Sequence, residues 1–254
     1  MRIGWNGDPL PLLTYHSIDD DRSILSTSPA AFRQHIQFLS SHSFRSIRLS
    51  ELVELLHKKR PLPPKHVCLT FDDGYQNVYS DAFPVLEEHG FTATVFVVAG
   101  YCGRYNDWPG NLRSLKRAPL LSWNQLKEMT RFGIECGSHT LTHPDLTRIP
   151  VRHAEEEIIQ SKREIEDKTG QSVTLFAYPY GNYNSRTRAI VRGHFSGACS
   201  TRLGNVRTGA DPYAIRRIDS CFVSNVRRFS KLTTSSLAGY LQARQVLRDL
   251  KTLL

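Results

Sequence analysis

The chain has 254 residues, 40% of them hydrophobic and 22% charged, a balance that suits one large α/β domain or two small ones and excludes disordered, collagenous and membrane-spanning classes. A net charge of +9 and a pI near 9.5 favour anionic partners, but the basic residues are scattered in short surface clusters such as Arg216–Arg217 and Arg227–Arg228. No aromatic RNA-binding signature accompanies them, so nucleic-acid binding is not expected, and five cysteines without C-x-x-C spacing exclude a zinc ribbon and fit a reducing compartment.

The opening "MRIGWNGDPLPLL" has no apolar run behind a basic start, which predicts a cytoplasmic chain with neither leader nor anchor. "PLLTYHSI" is the first strand candidate. In "SPAAFRQHIQFLSSH", Ser28 caps a helix, Pro29 takes its first position, and Phe32, Ile36 and Leu39 share one face. "FRSIRLS" is strand-like, Ser50 starts a helix carrying Leu52, Val53, Leu55 and Leu56, and the connector "KRPLPPK" leads into a buried strand, "HVCLTF".

"DAFPVLEEHG" reads as a short helix stopped by Gly90, and "TATVFVVAG" as the clearest strand. Residues 101 to 119 form a long loop of the kind that is usually functional or mobile. A capping box, Ser122 to Gln125, opens the next helix, and the strand "IECGSH" follows Gly133. "HAEEEIIQSKREIEDKTG" is a solvated amphipathic helix ending at Gly170, and "VTLFAYPYG" and "GACST" supply further strands. Strands and helices alternate without repeat or linker, which predicts one barrel-like parallel α/β domain over residues 1–254.

Asp72, Asp73 and Gly74 directly follow a predicted strand, so the carboxylates belong at the carboxyl end of a parallel sheet, where α/β barrels carry their sites. An isolated D-D-G is more often a cap or an Asx turn. "GSHTLTHPDL" supplies His139 and His143 at H-x-x-x-H spacing without the glutamate of a zinc-protease helix. On an extended strand the pair would lie about 13 Å apart, so one cation requires a strand end that turns. Two imidazoles and a carboxylate suit zinc, nickel, cobalt or iron, with open positions for water and substrate.

The joint occurrence of "TFDDG" (Thr70 to Gly74), "HTLTH" (His139 to His143) and "AYPYG" (Ala177 to Gly181), in this order, resembles the polysaccharide deacetylases of the NodB-homology type, carbohydrate esterase family 4. The resemblance implies a distorted (β/α)7-type barrel and a metal-dependent hydrolase that removes an acetyl group from an N-acetylated sugar. It makes Asp73, His139 and His143 the metal ligands, with zinc first among the divalent candidates, and Asp72 the general base. It also places Pro179 and the backbone N–H of Tyr180 at the oxyanion.

Two positions depart from the common pattern. Ala177 stands where many members have an arginine that orients the base, and no histidine follows His194 to act as the acid. His16 ends the first predicted strand and would open onto the rim that holds Asp72. Its Tyr-His setting, with "FAYPYG" at Phe176 to Gly181, resembles the branch that deacetylates poly-N-acetylglucosamine, whose order is circularly permuted and whose N-terminal histidine is the acid. His35, His57, His89 and His153 lie on predicted helices and are expected to be solvated.

Trp108, Trp123 and Tyr183 are candidates for stacking on sugar rings, though Trp123, in a capping-box helix, packs equally well. Tyr75 is placed to line the cleft, and Asp145 to orient a ligand or to serve a turn. The expected substrate is an N-acetylated sugar, an oligosaccharide or a lipid-linked sugar, with the basic surface favouring peripheral contact with an anionic membrane. Amide hydrolysis on a non-sugar substrate and an inactive carbohydrate-binding barrel are the alternatives. Oligomeric state is not legible.

Overall fold

The computed structural model describes residues 9–112 and 114–252; the first eight residues, on which part of the leader reading rests, lie outside them. In chain order the elements are β1 (Leu12–Tyr15), β2 (Ser17–Ile18), β3 (Ser26–Thr27), α1 (Pro29–Ser41), β4 (Arg45–Ser46), α2 (Leu49–His57), β5 (His66–Phe71), α3 (Phe83–His89) and β6 (Thr94–Val97). They continue with α4 (Trp123–Arg131), β7 (Glu135–Ser138), α5 (Val151–Thr169), β8 (Leu175–Ala177), α6 (Ser185–His194), β9 (Gly197–Leu203), β10 (Ile215–Asp219), α7 (Val226–Phe229) and α8 (Ser235–Thr252).

Seven strands close into a parallel barrel in the order β1, β5, β6, β7, β8, β9, β10, because β1 bonds β5 along one edge and β10 along the other. β4 adds only to the first residues of β5. Parallel closure puts every carboxyl end on one rim and leaves no free edge there. The distorted (β/α)7-type barrel expected from the sequence is therefore the observed architecture. Among the described residues, no helix is long and apolar enough to cross a membrane.

The local signals act as their chemistry predicts. Ser28 accepts from Ala31 N at the start of α1, and Ser122 and Gln125 form the capping box of α4. Gly90 and Gly170 end α3 and α5 in the left-handed region, at φ of 68° and 70°. The five cysteines are free.

α2 differs from expectation. It starts at Leu49 with Arg48 as N-cap, and Ser50, expected to start it, instead hydrogen-bonds Glu135 at the beginning of β7. Val53 on the same helix leaves no room for a Cβ at Gly197, the first residue of β9. α2 thus lies across the amino-terminal mouth, and its leucines join Leu12, Cys68, Phe96, Cys199 and Ile215 in one buried apolar cluster.

Above this floor the barrel interior turns polar. The period-2 alternation of a strand carries Leu12 to Thr14 and His16, Cys68 to Thr70 and Asp72, and Ile215 to Arg217. Thr14 and Thr70 hydroxyls meet at 3.0 Å, and Arg217 reaches the Thr70 hydroxyl at 3.4 Å. Each strand therefore lifts a chemical side chain to the same rim on an apolar stem.

Candidate active site

Asp72 is the first residue beyond β5, and its N–H donates to Tyr15 O at 2.9 Å, extending the β1–β5 ladder by one step. Its side chain is buried, and its two oxygens accept from Nη1 and Nη2 of Arg217, each at 2.7 Å. The guanidinium is held in turn by Nε donating to Ser200 O at 3.0 Å. Bidentate pairing of this kind fixes the carboxylate plane as well as its charge. His16 Nε2 lies 3.9 Å from Asp72 Oδ2.

Arg217 corrects the sequence reading, in which it belongs to a scattered surface cluster. It is 2% exposed, because Ile215, Arg217 and Asp219 share a strand phase and β10 completes the barrel between β9 and β1. A guanidinium thus reaches Asp72 from β10 in a chain that has Ala177 at the start of AYPYG. The signal for it was available in the alternation I-R-R-I-D, in which only one arginine of the pair can face inward.

Burial would raise the Asp72 pKa, but the facing Arg217 charge holds it well below the usual carboxylate range. Asp73 beside it is raised, chiefly by burial and further by the neighbouring Asp72 charge.

Asp73 adopts a φ of 68°, which turns it away from the strand direction. Gly74 follows at a φ of 73°, with Val97 Cγ1 3.1 Å from where a Cβ would stand. Asp73 Oδ1 lies 3.5 Å from Nε2 of both His139 and His143, and the two Nε2 atoms are 3.2 Å apart. His139 Nδ1 is 2.7 Å from Ala177 O, which can only accept, so Nδ1 carries the proton and Nε2 presents its lone pair inward. Ligand atoms at about 2.0–2.1 Å from a tetrahedral cation are about 3.3 Å apart. The observed separations match that edge length, so the three side chains fit a divalent cation.

The HTLTH segment reaches this geometry by turning at the end of β7. Thr140 and His143 take φ of 69° and 62°, costly values for a β-branched and an aromatic residue. The turn is tied down at many points. Thr140 Oγ1 accepts from His143 N at 2.9 Å. Glu157 on α5 accepts from Leu141 N at 2.9 Å, from Thr142 N at 2.8 Å and from the Thr142 hydroxyl at 2.6 Å. Glu157 carries no motif and was not singled out by sequence reasoning. Burial and the neighbouring His139 push the His143 pKa well below its ordinary value, keeping the imidazole neutral.

Pro179 and Tyr180 lie in the turn after β8, with Tyr180 at a φ of 59° and its ring 4.8 Å from that of His143. Asp145 accepts from Asn182 Nδ2 at 2.9 Å and from Thr147 N at 3.0 Å, so it serves a turn and also ties the second motif to the third. Tyr75 and Trp108, expected as substrate contacts, are each 3% exposed. Asn106 donates to the Tyr75 hydroxyl at 3.2 Å, while Trp108 packs 4.8 Å from the His143 ring. Both brace the site from behind because the 101–119 loop is pinned inward by Asn106, which also bonds Ala118 N and Lys116 O. Tyr180 remains exposed at the rim.

Residues 59–194 match the sequence model of the family described as polysaccharide deacetylase. Over 210 residues, 82% of this chain, it is 30% identical to YxkH of Bacillus subtilis (strain 168), named as a polysaccharide deacetylase, and covers 70% of that protein. It is 27% identical over 176 residues, 66% of this chain, to the poly-β-1,6-N-acetyl-D-glucosamine N-deacetylase of Staphylococcus aureus (strain MRSA252), spanning 58% of that enzyme. The solved structure of IcaB from Ammonifex degensii superposes with a TM-score of 0.75 at 28% identity, over 93% of this chain and 98% of that one.

Proposed function

Because the chain belongs to the polysaccharide deacetylase family, we propose that it is a metal-dependent N-deacetylase, with residues 1–254 working as one domain. It hydrolyses the acetamide of an N-acetylated sugar or glycan to a free amine and acetate. The observation that carries this reading is the convergence of Asp73, His139 and His143 beside a separate carboxylate, Asp72, that Arg217 clamps and His16 approaches. The relative that acts on poly-β-1,6-N-acetyl-D-glucosamine directs the substrate reading to oligomers of N-acetylglucosamine.

Asp73, His139 and His143 would hold the cation, which supplies Lewis acidity toward the amide carbonyl and toward the attacking water. Asp72, kept ionised and oriented by Arg217, takes a proton from that water as its oxygen bonds to the carbonyl carbon. The backbone N–H of Tyr180 donates to the developing oxyanion. As the C–N bond breaks, His16 gives its proton to the leaving nitrogen, because an amine anion is too basic to depart unprotonated. Zinc suits the donor set, as do nickel, cobalt and iron.

The test is acetate release from N-acetylglucosamine oligomers by metal-loaded and chelator-treated protein, with metal content measured in parallel. Asp73→Ala is expected to lose metal and activity together. Stoichiometric metal retained by that variant would overturn the assignment.

A further inference from the structure

The C-terminal helix α8 turns Leu237 and Leu241 into the core, but Val246, Leu247 and Leu250 are 52%, 53% and 53% exposed and Tyr240 is exposed beside them. At about 100° per residue, Tyr240, Val246, Leu247 and Leu250 fall within an arc of about 120°, roughly opposite Leu237 and Leu241. Val226 on α7 is exposed as well. A contiguous apolar stripe of this kind marks a surface that another body covers.

Charge identifies that body. Residues 226–250 contain Arg227, Arg228, Lys231, Arg244 and Arg248 against Asp249 alone, and Asp249 is engaged by Arg202 at 3.5 Å. Arg228 borders the stripe, 5.5 Å over the Tyr240 ring, and Arg244 follows about 40° beyond Tyr240 around the helix, while Arg248 turns toward the body, over Phe222 and donating to Thr201 O at 3.1 Å. Arg202, Arg207 and Arg216 line the groove on the other side of the same helix. A second copy docked about a two-fold axis would set these arginines against their own images. An anionic lipid surface offers phosphates to the cations and an apolar boundary to the stripe.

We infer that α7 and α8 form a docking face for an anionic phospholipid bilayer, with α8 lying in the plane of the interface. The helix lies on the surface without spanning it, since it is not apolar enough to cross. The Arg227, Arg228 and Arg244 guanidiniums meet headgroup phosphates while Tyr240, Val246, Leu247 and Leu250 enter the acyl boundary. The inference does not depend on the catalytic reading, because binding is measured without substrate.

The full-length protein is floated with vesicles of phosphatidylglycerol and phosphatidylcholine in equal amounts, and with pure phosphatidylcholine vesicles. Binding to the anionic vesicles is expected to be at least about tenfold tighter and to weaken with added salt. The pair Arg227→Gln and Arg244→Gln weakens it by roughly fivefold per arginine. Leu247→Gln with Leu250→Gln abolishes it while the melting temperature stays unchanged. Equal affinity for both vesicle types, or none for either, overturns the proposal. So does a concentration-dependent dimer in sedimentation that the leucine pair dissolves while vesicle binding is absent.

Discussion

At the scale of single residues, the site depends on Asp72 and Arg217. Two buried opposite charges with bidentate geometry satisfy each other, but either one alone is an uncompensated charge in a low-dielectric interior. Arg217→Met is therefore expected to destabilise the protein by roughly 3–5 kcal/mol in chemical denaturation, with Arg217→Lys intermediate because it restores charge without the planar fork. A loss below about 0.5 kcal/mol would mean that water reaches Asp72 and screens it. His16 is open to a kinetic test. His16→Ala should leave metal content unchanged and slow amide substrates more than activated esters, whose leaving groups need little protonation. Equal slowing of both would remove His16 from the acid role.

At the scale of elements, two helices hold the rim in ways that the motifs do not announce. Glu157 on α5 takes three hydrogen bonds from the turn that carries His143, offsetting the strain of the positive-φ residues. Glu157→Ala is expected to lower metal affinity by about 10–100-fold in competition with a chelator, with Glu157→Gln retaining part of the affinity. An unchanged affinity would show that the Thr140–His143 hydrogen bond holds the turn unaided.

On α1, His35 was expected to be solvated. It is instead fully buried, stacked 3.9 Å from the Phe229 ring of α7 and 3.1 Å from the Tyr15 hydroxyl. It lies on the same helix face as Phe32, Ile36 and Leu39, and α7 covers that face. Burial lowers its pKa to about 4, against the opposing effect of backbone carbonyls at Ser224 and Val223. The unfolded chain, titrating near 6.5, binds more protons between those values. The stability of keeping His35 neutral is thus complete above about pH 6.5 and is lost as pH falls toward 4, by about 3 kcal/mol at most. Melting temperature should fall on acidification over that window, and His35→Gln should flatten the fall. A parallel decline in both proteins would place the titration elsewhere.

At the scale of the whole molecule, the barrel joins chemistry drawn from the first strand, the middle and the last. β1 brings His16, β5 brings Asp72 and Asp73, β7 brings His139 and His143, and β10 brings Arg217, and closure of β1 on both β5 and β10 makes these neighbours. A cation held as proposed by Asp73, His139 and His143 would bind only the closed barrel, because Asp73 is distant from the two histidines along the unfolded chain. Zinc at about 100 times its dissociation constant should therefore stabilise the fold by about 2.7 kcal/mol, or roughly 5–10 °C in melting temperature for a chain of this size. Chelation should reverse the shift, and Asp73→Ala should remove it. A zinc effect that persists in that variant would locate the ion at another site.

Much of this arrangement is legible in the sequence. Strand and helix periodicity, the caps at Ser28 and Ser122, the glycine stops and the order of TFDDG, HTLTH and AYPYG define a parallel α/β barrel with its chemistry on one rim. Those signals are local, because they depend on backbone hydrogen bonds and left-handed turns within a few residues. What tertiary structure alone decides is which neighbours a side chain meets. Arg217 and His35 read as surface residues because charge and imidazole ordinarily seek water, yet closure by β10 and coverage by α7 bury them. Tyr75 and Trp108 read as cleft residues, and the fold buries both, with Asn106 donating to the Tyr75 hydroxyl and Trp108 against the His143 ring. A sequence states the period of each element; which face is inside depends on how the barrel closes, and closure pairs Leu13 of β1 with Ile218 of β10, from opposite ends of the chain.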